Sequence, residues 1–78
     1  MDKIIIEDGY DQNQITVHTS FNIQENPAFK LILERIIGVE RCDFNFYKYK
    51  FHVNYGKAFD KDVIKTEVRK KIYEFLND

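Results

Sequence analysis

Asn26-Pro27-Ala28-Phe29-Lys30-Leu31-Ile32-Leu33-Glu34-Arg35-Ile36-Ile37-Gly38-Val39 is the stretch that decides the fold, because it marks where one helix starts, which face it buries and where it stops. Asn accepts free backbone N–H groups at a helix start, and Pro loses nothing at the first helical position. From there Phe29, Ile32, Leu33 and Ile36 recur at i, i+3, i+4 and i+7, which is one apolar stripe. Gly38 supplies the left-handed residue that ends the helix, and Val39 opens the next element.

On the N-terminal side, Lys3-Ile4-Ile5-Ile6-Glu7 is a β-branched run ended by Asp8-Gly9. From Gln14 to Phe21, Ile15, Val17, Thr19 and Phe21 alternate against polar residues. Both read as strands. On the C-terminal side, Val39 to Phe46 and Tyr49 to Tyr55 alternate so that Cys42, Phe44, Phe46, Phe51, Val53 and Tyr55 share one face, with a hairpin turn near Tyr47-Lys48. Asp60 caps a last helix whose Ile64, Val68, Ile72 and Phe75 form an apolar stripe, with Lys71 snorkelling at its edge. The expectation is a single α+β domain over residues 1–78, in the order ββαββα. Its four-stranded, mainly antiparallel sheet carries both helices on one face. Thr16, His18, Arg41, Asp43, Asn45, Lys50, His52 and Asn54 then fall on the open face.

Composition supports one core and limits the chemistry. With 78 residues, 44% of them apolar and 15% aromatic, the chain can bury one core but not two. No apolar run reaches the roughly 18 residues of a membrane span. Met1-Asp2-Lys3-Ile4 lacks the basic start of a secretory signal, so a cytoplasmic location is expected. One cysteine, Cys42, permits neither an internal disulfide nor a thiolate cage. It has the parity of Phe44 and Phe46, whereas His52 points the other way, so a Cys–His nucleophile does not form. His18 and His52 lack a convincing third metal ligand, and Gly9, Gly38 and Gly56 are too scattered for a phosphate loop. No enzyme activity, metal, cofactor or small-molecule substrate is therefore expected.

Lys48 to Tyr55 has the look of the aromatic strand of RNA-recognition domains, but that strand needs aromatic rings on its open face, where this one has Lys50 and His52. A competing reading gives the C-terminal helix a weak nucleic-acid-binding role through Lys65, Arg69 and Lys70, a patch interrupted by Glu67 and Glu74. The main expectation is a protein partner docked on the open face and hairpin tip. Arg41, Tyr47, Tyr49, Lys50 and His52 are its candidate contacts, since Tyr and Arg are common binding anchors. The richness in Lys, Ile, Asn, Tyr and Asp suggests an AT-rich genome and would also suit a virus-encoded modulator of a host protein.

The stretch Asn26 to Val39, followed by a hairpin and a helix ending Ile72-Tyr73-Glu74-Phe75-Leu76, resembles the N-terminal domain of the Nfu/NifU scaffold proteins. The resemblance implies a short Pro-opened helix, a Gly-Val step into a hairpin and a closing amphipathic helix. It also implies a non-catalytic accessory role in contact with other proteins. The family's iron–sulfur Cys-x-x-Cys pair lies in a different domain, so the resemblance transfers no site residue.

Overall fold

A computed structural model describes residues 4–22, 27–43 and 49–76. The elements follow the expected order: β1 (Ile5–Asp8), β2 (Gln14–His18), α1 (Pro27–Glu34), β3 (Val39–Asp43), β4 (Lys50–Tyr55) and α2 (Lys61–Leu76). The strands form one four-stranded sheet in the order β1-β2-β4-β3, antiparallel at every pairing. Strands β2 and β3 both run opposite to β4 and flank it, so α1 carries the chain over β4 from one to the other. The expected cap at Asn26, the parity of Phe44 and Phe46, the outward placement of Asn45 and the turn at Tyr47-Lys48 lie outside the described residues.

Period-two alternation produces the core. Ile15 and Val17 of β2 stand opposite Val53 and Phe51 of β4, and Cys42 stands opposite Val53 from the other side. All are buried, and together with Phe29, Leu33 and Ile36 after β2 and Ile64, Val68 and Ile72 of α2 they make one cluster. Phe29 is its hub, with ring centroids 5.9 Å from Phe21, 5.9 Å from Phe51 and 5.0 Å from Phe75. Asp60 caps α2 as expected: its Oδ1 accepts the Asp62 amide at 2.7 Å and its carbonyl accepts the Ile64 amide at 3.1 Å. Lys71 is half-buried, and its ammonium reaches Glu74 at 3.5 Å.

Three departures have local causes. First, α1 closes at Glu34 instead of running to Gly38, because the chain tightens into i→i+3 bonds, Ile36 N to Leu33 O at 3.1 Å and Val39 N to Ile36 O at 3.0 Å. Gly38 still takes the left-handed conformation, φ 99°. Second, β2 ends at His18, and the Thr19 amide continues the pairing onto the Tyr49 carbonyl at 2.9 Å. Third, strict alternation would turn Val39 outward together with Arg41, yet Val39 packs against the core. A bulge between Val39 and Arg41 leaves Glu40 as the extra residue, so Val39 stands opposite Tyr55 and Arg41 opposite Asn54.

Candidate functional sites on the open face and the β1 edge

The sheet's open face is set by the register. Glu7, Thr16, His52 and Asp43 form one row across all four strands. Gln14, Asn54 and Arg41 form the next, and Ile5, His18 and Lys50 the one on the other side. Thr16 and His52 share a hydrogen bond of 3.0 Å between Oγ1 and Nδ1, and His18 Nε2 donates to Glu7 at 2.6 Å. Partial burial of His52, reinforced by Lys50 beside it, holds its imidazole below the usual histidine range; Asp43 and Asp11 pull the other way.

The face also holds an aromatic ring that alternation along the strands could not reveal. Tyr10 belongs to the β1–β2 turn, which Gln14 organises by accepting the Tyr10 amide at 3.0 Å and the Asp11 amide at 3.3 Å through Oε1. The turn carries the Tyr10 ring edge-on to His52, with centroids 5.6 Å apart, and the Lys50 ammonium lies 5.7 Å from its centre. Tyr10 is nonetheless 82% exposed. Its signal in the sequence is only a tyrosine after Gly9, and nothing local says which strand it reaches.

Of the residues expected to bind a partner, Arg41, Lys50 and His52 come together on this face. Tyr49 directly precedes β4 and is exposed, but alternation gives it the parity of Phe51 rather than of Lys50. Tyr47 lies outside the described residues. The grouping of Lys65, Arg69 and Lys70 is split by helical geometry, for Lys70 sits about 100° around the helix from Arg69. Lys65 and Arg69 turn toward β1, joined by Lys61. Lys61 and Lys65 hold Asp8 at 3.3 and 3.1 Å, and Arg69 donates to the Ile4 carbonyl at 3.3 Å. These two lysines hold the Asp8 carboxyl below the usual carboxylate range.

Elsewhere, a hollow of about 460 Å³ opens between the segment after α1 and the start of α2, walled by Ile36, Ile37, Phe59 and Val63. Among the described residues no three His, Cys, Asp or Glu side chains gather as a metal site, and no helix is long and apolar enough to cross a membrane. Cys42 is buried, and its thiol is pushed up to about 12, first by burial and then by Glu34 nearby. The thiolate is thus scarce at neutral pH. In native buffer an alkylating reagent is expected to modify Cys42 at least about 100-fold more slowly than in denaturant, since reaction waits for opening of the core. Equal rates, followed by mass spectrometry, would show that the thiol is accessible.

Comparison with protein-family models, with curated proteins and with solved structures finds no match. The likeness to the Nfu N-terminal domain therefore rests on the quoted residues alone.

Proposed function

We propose that this domain is a non-enzymatic protein-interaction module whose partner docks on the open sheet face. The observation that carries the reading is Tyr10: a large ring, 82% exposed, set on a polar sheet by contacts with His52 and Lys50. A tyrosine held in this way offers contact area at low entropic cost. Lys50 lies against the ring, and Arg41, on the same face in the neighbouring Asn54 row, adds a planar donor fork. The matching partner is a folded protein surface that presents an apolar spot to the ring and carboxylates to Arg41 and Lys50. The scaffold or accessory role implied by the Nfu resemblance fits this reading. A buried, protonated Cys42 supports a packing role for the one thiol rather than catalysis.

Affinity capture with the wild type, Tyr10→Ala and Arg41→Ala tests the proposal. Both variants should fold, because both side chains are exposed. At least one should weaken a captured partner by about 2 kcal/mol. Normal binding by both variants, with loss on charge reversal at Lys65 or Arg69, would move the interface to α2.

A further inference from the structure

Among the described residues the sheet ends at β1, and the backbone pattern shows which of its groups face outward. Gly9 donates to the Gln14 carbonyl at 2.9 Å, so Gly9–Gln14 is a hydrogen-bonded pair of the antiparallel ladder. Such pairs alternate, which makes Glu7–Thr16 and Ile5–His18 the next two bonded pairs. Ile4, Ile6 and Asp8 therefore turn their backbone groups away from β2, to the outside of the sheet. The Arg69 bond to the Ile4 carbonyl confirms this direction independently.

Alongside this edge runs α2, antiparallel to it: Lys61 and Lys65 lie at Asp8, and Arg69 lies at Ile4. Their i, i+4, i+8 spacing sets a row of cations about 12 Å long, the reach of about four strand residues. Among the described residues, Asp8 is the one carboxylate bonded to this row. The opposite edge of the sheet is built differently, for β3 is interrupted by the Glu40 bulge and has α1 packed beside it. Strand β1 has neither a bulge nor a proline.

We propose that β1 is a docking edge for an extended acidic peptide segment, which adds to the sheet as a fifth strand and places alternate carboxylates against Lys61, Lys65 and Arg69. Backbone bonds to Ile6 and Asp8 supply affinity, and the cation row selects acids at every second position, the spacing at which side chains of one strand share a face. A second copy of this chain is disfavoured, since edge-to-edge pairing of two β1 strands would bring two cation rows together. This site is separate from the Tyr10 face, so either can fail without the other.

The test is amide hydrogen exchange by NMR with a peptide of about nine residues alternating glutamate and valine, and a lysine–valine peptide as control. With the acidic peptide, the Ile6 and Asp8 amides should slow by at least about tenfold while Ile5 and Glu7, already in the ladder, stay unchanged. The double variant Lys65→Gln/Arg69→Gln should raise the peptide Kd at least about tenfold, and Tyr10→Ala should leave it unchanged. The proposal is overturned by unaltered exchange at about 1 mM peptide, which would make the charges an edge guard only, or by an equal response to the lysine peptide. It is also overturned by Ile6 and Asp8 protection in a doubled-mass species without peptide, or by a single-stranded oligonucleotide that engages the cation row more tightly than the acidic peptide does.

Discussion

Replacing Phe29 with alanine should cost about 3–5 kcal/mol, a large share of the stability of a domain this size. Phe29 is fully buried, and its ring meets Phe21, Phe51 and Phe75 at once. It therefore joins the segment after β2, the central strand β4 and the end of α2 to α1. Truncation removes the transfer free energy of the ring and three edge-to-face contacts, and opens a cavity where neighbouring aromatics cannot easily collapse. At roughly 0.05–0.15 kcal/mol per residue, a domain of this size has only about 4–12 kcal/mol to lose. Urea unfolding followed by far-UV circular dichroism suits a chain without tryptophan. Tyr73→Ala, a change at an exposed α2 position, serves as the control and should stay within about 0.5 kcal/mol. A Phe29→Ala midpoint equal to that of the control would mean that the aromatic hub is not what ties the layers together.

That hub was legible in the sequence because periodicity is a local signal. Phe29, Leu33 and Ile36 repeat at helical spacing, Phe51, Val53 and Tyr55 at strand spacing, and each pattern marks its buried face without knowledge of the partner. The same signal placed Arg41, Lys50 and His52 on the open side. It does not encode which strands pair. The insertion of β4 between β2 and β3 is a tertiary outcome, and the row Glu7–Thr16–His52–Asp43 exists only once that order is set.

The same limit hid the two features on which the functional readings rest. Tyr10 belongs to a turn, where no period tells a ring which way to lie; its position follows from the Gln14 side chain gathering the turn's amides. On α2, sequence adjacency grouped Lys70 with Arg69, whereas helical spacing groups Lys61 with Lys65 and Arg69. The spacing was available from the start. What was missing was the strand beside it, since a cationic stripe becomes a candidate recognition feature only when it runs along an open edge. The Glu40 bulge was hidden for a related reason: Val39 and Arg41 are two apart and cannot both obey alternation when one belongs inside and the other outside.

Gly38→Ala should destabilise the fold by about 2–3 kcal/mol, through two effects that can be separated. With φ at 99°, Gly38 adopts a conformation in which an L side chain is strained wherever space is available. A Cβ there would also meet two ring carbons of Phe59 at 2.8 Å and the Ile64 Cδ1 at 3.1 Å. The backbone cannot drift to relieve this freely, because the Gly38 carbonyl accepts the Gly56 amide at 2.9 Å and Val39 must enter β3 in register opposite Tyr55. Phe59 is 39% exposed, so its ring can swing aside at some loss of packing, whereas the dihedral strain stays. A double-mutant cycle with Phe59→Ala tells the two apart: relief of the clash should return about 1 kcal/mol of the Gly38→Ala cost, and the residue of about 1–2 kcal/mol is the price of a left-handed alanine. A Gly38→Ala cost below about 0.5 kcal/mol would show that this turn relaxes to an ordinary conformation, and Gly38 would then not be what fixes the step from α1 into β3.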